Sequence, residues 1–260
     1  MRILAVSSQV AYGPVGNSAA VPALQAKGHE VIALPTITLS NHPGHGKPSG
    51  FRTQPEDISR ILETLDGLGV LSPVGAVLTG YFASAEQVEA VAAVLVRMKS
   101  VNQSPFILVD PVIGDEGGLY VSQAVAETIR DQLVPLATCI TPNRFELAWL
   151  SGCTVANEAD AIATSRNLGV VEVLATSVPA GESQIATMLI TPEKVHSTTS
   201  PRLAYVPHGT GDFLSGLYLA SRVAMPPEDA FDTAMKTLAR AIAMSAGTPV
   251  LDVAGALHGP

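Results

Sequence analysis

The sequence is short of charge, short of aromatics and nearly free of cysteine. Charged residues make up 15% and aromatics 5% of its 260 positions, against 47% hydrophobic. A chain of that length and composition can bury a sizeable core, which excludes a disordered protein. Fifteen Lys plus Arg against 23 Asp plus Glu give a net charge of −8 with no basic block. The usual electrostatic warrant for binding nucleic acid or an anionic membrane is therefore missing. Two cysteines, Cys139 and Cys153, are too few for a disulfide framework or a zinc knuckle. Long apolar runs are missing too. The mean hydropathy is +0.32, yet polar or turn residues cut every apolar stretch well short of the roughly 18 residues a membrane span needs. Ile3 to Val6 is followed at once by Ser7, Ser8 and Gln9, too brief an apolar segment for a signal peptide. These absences predict a soluble, cytoplasmic, globular protein with no nucleic-acid and no membrane partner.

What is present is a chain of short β-rich runs alternating with helical patterns, the pattern of stacked βα units. Strands are expected at 3–7, 31–35, 76–79, 106–109, 138–140 and 171–175, with further β-rich stretches at 185–190 and 203–206. Helices are expected at 17–27, 56–65, 85–99, 122–133, 143–150, 158–168, 212–222 and 227–246. The 22 Gly and 19 Pro are spread along the chain, leaving no linker and predicting a single domain over 1–260. Buried apolar strands separated by helices imply a mostly parallel sheet covered on both faces. Ligands in such sheets bind beyond the carboxyl ends of the strands. Residues 38–52 carry three Gly, two Pro and two His without a hydrophobic period. They read as a long polar loop, a functional or mobile segment.

Three strand-end segments are chemically loaded. In His208-Gly209-Thr210-Gly211-Asp212, two glycines flank a Thr at the start of an apolar helix. That arrangement lets backbone N–H groups and the helix dipole face an anion, with Asp212 placed to contact a hydroxyl that attacks phosphorus. The alternative is that Thr210 or Asp212 merely caps the helix. In Val109-Asp110-Pro111-Val112-Ile113-Gly114-Asp115, two hard oxygen donors suit Mg²⁺ brought in with nucleotide phosphates, or are simply loop caps. In Thr141-Pro142-Asn143-Arg144-Phe145-Glu146, Thr141 is a good N-cap and Pro142 a good first helical residue. Asn143 and Glu146 share a helix face and could complete a water or metal shell. Ser8 is placed to meet a small ligand, Asn17 to cap a helix, and Tyr81 to wall a flat ring. His42 and His45 could pair, but without a Cys or carboxylate nearby a flexible loop is the better account. No Gly-x-Ser-x-Gly elbow supports covalent hydrolysis.

Taken together, these segments resemble the ribokinase superfamily and, within it, the pyridoxal kinases. The resemblance runs through Ser8, Tyr12-Gly13-Pro14-Val15-Gly16-Asn17, Ser40-Asn41-His42-Pro43-Gly44-His45-Gly46, Thr79-Gly80-Tyr81, and the three segments above. It implies a three-layer α/β/α sandwich with a flap loop over the site. It implies transfer of the γ-phosphoryl group of ATP to the 5′-hydroxymethyl of pyridoxal, pyridoxine or pyridoxamine. Asp212 would take the hydroxyl proton while Gly209, Thr210 and Gly211 hold the phosphoryl. Asp110, Asp115 and Glu146 would organise Mg²⁺, with K⁺ as a monovalent companion. Asn143, Glu146, Thr176, Ser177 and Thr210 would face ATP. Ser8, Val15, Ile37, Tyr81, His42 and His45 would face the vitamin, and the family implies a homodimer. Three residues depart from the family pattern: Pro43 stands where relatives carry Thr, His45 where they carry Tyr, and Arg144 often where they carry Gln. These put substrate identity in question more than reaction type. The competing readings are a hydroxymethylpyrimidine kinase, whose relatives often carry Cys in place of Asp212, and a pyridoxal phosphate or nucleotide-binding protein without turnover.

Overall fold

The computed structural model describes residues 1–100 and 104–258. In chain order its elements are β1 (Arg2–Tyr12), α1 (Asn17–Ala26), β2 (Glu30–Asn41), β3 (Gly50–Arg52), α2 (Pro55–Gly67), β4 (Val74–Thr79) and α3 (Ala85–Ser100). There follow β5 (Phe106–Val109), a small hairpin of β6 (Gly114–Asp115) and β7 (Gly118–Leu119), α4 (Gln123–Thr128), β8 (Cys139–Ile140), α5 (Arg144–Ser151) and α6 (Glu158–Asn167). The chain closes with β9 (Glu172–Pro179), β10 (Gln184–Ile190), β11 (Val195–Pro201), α7 (Thr210–Arg222), α8 (Pro227–Met244) and α9 (Val253–His258).

Nine strands form one sheet in the order β11-β10-β9-β8-β5-β4-β1-β2-β3. The six strands from β9 to β2 run parallel, and β10, β11 and β3 are antiparallel additions at the two edges. Successive strand side chains alternate between faces, and β1 shows the consequence. Leu4 and Val6 join a core with Ile58, Leu62, Val91 and Leu95 from α2 and α3. Ile3 and Ala5 join the opposite core with Ala20, Leu24, Leu217 and Phe231 from α1, α7 and α8. The result is the expected three-layer α/β/α sandwich with a mostly parallel sheet.

The expectations drawn from apolar runs fall short wherever strands are polar. β1 continues past Ser7 to Tyr12, and β2 past Pro35 to Asn41, because the two pair on through Gln9↔Thr38 and Val10↔Leu39. The polar loop expected at 38–52 is thus mostly a hairpin. β2 turns through a short 3₁₀ segment, Pro43–His45, and returns as β3. The β-rich stretch expected at 203–206 lies instead in β11, just upstream, and 203–206 are irregular. The helix expected over 122–133 breaks into α4 and a π turn at Ile129–Leu133. Pro135 follows directly and has no N–H to donate, so regular helix cannot continue through it. The short α9 has too few turns to show a period.

α1 and α7 meet across the upper layer at Gly216. A Cβ there would lie 2.8 Å from both the Cα and the carbonyl oxygen of Ala20. Gly216→Ala gains about 1 kcal/mol of helix propensity but forces two backbones apart, an overpacking cost of about 1–3 kcal/mol. The expected outcome is a net loss of stability of up to about 2 kcal/mol by urea denaturation; increased stability would show that the helices can separate freely.

Candidate active site

The parallel strands deliver their carboxyl ends to one edge of the sheet, and the N-terminus of α7 faces that edge. Its N-cap is Gly209, at φ 88°, with no side chain capping the helix. Thr210 is therefore not the N-cap, and Asp212 lies in the first turn, its carboxyl taking a hydrogen bond from its own backbone N–H. The helix start presents bare N–H groups and the positive end of its dipole. Gly209 is fixed on two counts. Its φ is left-handed, and a Cβ would sit 1.9 Å from the Pro14 carbonyl oxygen. Gly16, at φ 57°, is locked in the same way, since its Cβ would lie 2.2 Å from Ser8 Oγ. Gly16 rather than Asn17 is the N-cap of α1, and Asn17 lies buried within the helix, donating through Nδ2 to the Ser7 carbonyl. These contacts bring Ser8, Val15 and the 209–212 segment to one place, with Asp212 partly exposed and its carboxyl facing the Gly16 N–H.

The facing wall comes from β2 and β4. Between Ser7↔Pro35 and Gln9↔Thr38 the register slips by one residue on β2, so Thr36 and Ile37 bulge opposite Ser8. The Thr36 hydroxyl donates to the Tyr81 carbonyl at 2.6 Å, and the Tyr81 N–H donates to Ser7 Oγ at 3.1 Å. Sequence reading missed Gln87, which is buried and pins the root of the hairpin. Its Nε2 donates to the carbonyls of Thr36 and Thr53, and its Oε1 accepts from Ala83. A cavity of 290 Å³ opens beside Tyr81, lined also by Arg52, Ser84 and Tyr120. A larger one of 610 Å³ lies behind Pro14, between α1 and α9, away from these residues.

Acidic groups gather on the other side. Asp110 is buried at the end of β5 and accepts from Ser215 Oγ at 2.9 Å; Ser215 is in turn 2.9 Å from Thr141 Oγ1. Thr141 thus serves Ser215 and is not a helix cap. The cap of α5 is Asn143, in a capping box with Glu146. Glu146 is buried and its carboxylate accepts from the N–H groups of Asn143, Ile113 and Gly114. Asn143 Nδ2 donates to the Gly114 carbonyl at 2.8 Å. The segment between Asp110 and Gly114 is strained, with Val112 at φ 37°, a region β-branched residues avoid. Thr176 and Ser177 lie within β9 rather than at its end. They form a bulge opposite Thr187, with Ser177 at φ 57°, and Thr176 bridges to Asn143. Asp115 is exposed on β6 with its carboxylate turned onto its own hairpin, where Gly117 N–H and Tyr120 OH donate to it. Arg144 pairs with Glu116 on the same hairpin. Ser215 was legible in principle, three residues past Asp212 on one helix face.

Burial pushes the Asp110 carboxyl well above its ordinary range, and the neighbouring Asp212 and Glu146 push it further. Burial likewise raises Glu146 to about 7, against the pull of its three backbone donors. Asp212 is raised by burial from 3.8 to about 6. A carboxyl whose folded value is raised contributes stability that is complete below its unfolded value and lost as pH rises through the folded one. Asp212→Asn cannot ionise. It should exceed the wild type in stability by about 1–3 kcal/mol at pH 8 and by little at pH 4. Urea denaturation at both values checks this, and equal stability at pH 8 would mean that the carboxylate is comfortable where it lies.

The hairpin tip carries His42 and His45, and both approach His208, which sequence reading passed over as merely preceding Gly209. With this geometry in place, comparison with known proteins is specific. The family model described as phosphomethylpyrimidine kinase matches residues 19–257. The pyridoxine/pyridoxal/pyridoxamine kinase of Bordetella avium is 36% identical over 251 residues, 93% of this chain and 84% of that protein. A pyridoxal kinase of Rubrobacter xylanophilus is 37% identical over 227 residues, 84% of this chain and 78% of that one. Among solved structures, pyridoxal kinase of Entamoeba histolytica superposes with a TM-score of 0.93 at 27% identity, covering 99% of this chain and 95% of its own. Pyridoxal kinase of Leishmania donovani in complex with ADP and pyridoxine gives 0.92 at 29%, with the same coverage. A family model over most of the sequence, and relatives above one third identical along most of both chains, establish that this chain belongs to the phosphomethylpyrimidine kinase family.

Proposed function

We propose that this protein is an ATP-dependent pyridoxal kinase, moving the γ-phosphoryl group of ATP to the 5′-hydroxymethyl group of pyridoxal-type substrates. The observation that carries this reading is the placement of Asp212 beside the uncapped start of α7, in the same cleft as Ser8 and Val15. Relatives named for the same activity at 36–37% identity support it. Phosphoryl transfer is mainly a matter of positioning and charge neutralisation, because the transition state spreads its charge over equatorial oxygens. The backbone N–H groups of residues 209–211 are the donors for those oxygens. Asp212 orients the attacking hydroxyl and accepts its proton; a carboxyl near 6 is ionised at neutral pH yet a better base than an ordinary one. Thr210, Asn143, Thr176 and Ser177 would face the triphosphate. Ser8, Ile37, Val15 and Tyr81 would hold the ring, and the hairpin with His42 and His45 would exclude water.

The acidic side suits Mg²⁺. Burial raises all three of Asp110, Glu146 and Asp212, Asp212 pushes the other two further, and no cation is among the causes acting on them. Among the described residues no three such side chains converge closely enough to hold a metal alone. That donor set fits an ion whose shell is completed by phosphate and water. Asp110 and Glu146 would hold it, and Asp115 would join only by giving up its bonds to Gly117 and Tyr120. The ion, when bound, neutralises phosphate charge. The same reading makes the chain one catalytic domain, cytoplasmic and paired as a homodimer, which sedimentation would check. Hydroxymethylpyrimidine is the second acceptor to test, because the matching family model carries a pyrimidine kinase description; Asp212, where such relatives often have Cys, leans against it.

The deciding experiment incubates the protein with Mg·ATP and pyridoxal and follows ADP and pyridoxal phosphate together. Matched appearance of both is expected, with loss of both when EDTA replaces Mg²⁺. No product with pyridoxal, but product with hydroxymethylpyrimidine, would move the assignment to the second acceptor. Tight binding without ADP would make it a binding protein. Asp212→Ala should bind pyridoxal nearly as wild type and lose about 10²–10⁴ in kcat; retained turnover would remove Asp212 from its role.

A further inference from the structure

Three histidines, two from one hairpin tip and one far along the chain, cluster beside the start of α7. His42 and His45 come from the hairpin tip, and His208 immediately precedes the anion-facing Gly209. The His42 and His208 rings lie 4.1 Å apart between centroids, tilted by 36°. His45 meets His208 edge-on at 5.8 Å and His42 at 6.1 Å. A Cβ on Gly44 would fall 2.4 Å from His208 Nε2, so the flap backbone rests directly on that ring. His42 also caps the 3₁₀ turn at the tip, its Nδ1 accepting from the Gly44 N–H at 3.1 Å. That nitrogen therefore carries no proton in the closed flap, and protonating it removes the cap. Among the described residues these side chains make no metal-holding group.

Neutral imidazoles stack; two imidazolium ions at this separation repel. The groups facing His42 are His45 and His208. Those facing His208 are His42 and His45 from the flap and Tyr205 from its own loop, and Tyr12 at the end of β1 faces His45. No carboxylate contributes to the charge acting on His42 or His208. We propose that His208 is a positioning residue that latches the flap. Its ring, stacked on His42 and lying under Gly44, holds residues 42–46 down beside the loop that receives the phosphoryl group, and lets them go when the histidines take up protons.

The proposal rests on the reading of the hairpin as the lid of a pyridoxal kinase. Burial and the neighbouring imidazoles lower His42 from 6.5 to about 4, and they lower His208 as well. In an open flap His42 would return toward 6.5. The latch is therefore complete above about 6.5 and erodes as pH falls toward 4. For His42 alone the closed-to-open ratio would fall about tenfold by pH 5.5, and solvent screening of a half-exposed ring reduces this to several-fold.

Amide hydrogen exchange on the ligand-free protein reads the flap without any turnover. Protection factors between Gly44 and Gly50 should fall several-fold from pH 7 to 5.5 in the wild type. In His208→Phe, which keeps a flat ring but cannot titrate, protection should match wild type at pH 7 and the fall, carried by His42, should persist. In His208→Val protection should be low at both pH values, with KM for pyridoxal raised several-fold and kcat within about twofold at pH 7. Wild-type protection indifferent to pH, or His208→Val behaving as wild type in exchange, would overturn the latch. Should exchange follow these expectations while no variant, wild type included, phosphorylates pyridoxal, the latch stands and the substrate reading falls.

Discussion

Burial of the carboxyl groups of Asp110, Glu146 and Asp212, with Asp212 pressing on the other two, is the constraint around which this edge of the sheet is built. Carboxyl groups drawn out of water hold their protons to higher pH than free ones, and burial raises all three, Asp212 by little enough to leave it ionised at neutral pH. Nothing basic offsets them. What holds them is hydrogen bonding from neighbours: three backbone N–H groups on Glu146 and the Ser215 hydroxyl on Asp110. The same donors tie α5, the segment after β5, and α7 into one frame. A site of this kind is stabilised by what it binds. In the proposed function, phosphates would bring cations that take the place of the protons these groups hold.

The frame is held close by glycines where backbone touches backbone. Gly209 against Pro14, Gly16 against Ser8 and Gly216 against Ala20 run from the anion-facing loop down the α1–α7 contact into the core. Movement of the N-terminal turn would therefore shift Asp212 and the helix dipole with it. The two buried cores on either face of the sheet supply the rigidity that such close positioning requires. Strain at Val112 and Ser177, both left-handed without being glycine, persists in this setting because well-packed strands flank each of them.

The parallel core was legible because fully buried strands are short apolar runs, and 106–109 matches β5 residue for residue. That 209–212 open an apolar helix was legible from the glycines before it, though those residues alone left an ordinary turn and cap equally open. Legibility ended where pairing rather than apolarity makes the strand. Gln9, Thr38 and Ser40 read as loop, yet lie in strands that carry the hairpin. Gln87 and His208 were invisible for a different reason. Each acts through partners 34 to 51 residues away or across the cleft, and a single polar residue on a helix or before a turn carries no pattern of its own. Thr141 was misassigned because a good N-cap residue followed by proline is a strong local signal, and a tertiary bond to Ser215 overrode it.

The departures from the family pattern, Pro43, His45 and Arg144, all lie outside the rigid frame. Pro43 and His45 sit in the 3₁₀ tip of the hairpin, and Arg144 projects to the β6–β7 hairpin rim. The flap hairpin meets β2 through only three paired residues of β3, all exposed, so its own stability is small. It is held at the root by Gln87, at the tip by the histidine cluster, and between them by bonds of Ser40 with Ser49 and of Asn41 with Gly46. In the proposed kinase, substitutions there would alter how the lid closes and which ring it closes on. They leave Asp212, the bare helix end and the acidic cluster untouched, because those stand on α7, β5 and α5, whose positions the two cores determine. The fold thus separates Asp212, the start of α7 and the acidic cluster, which stand on buried elements, from an exposed sheet-edge hairpin that can vary without moving them.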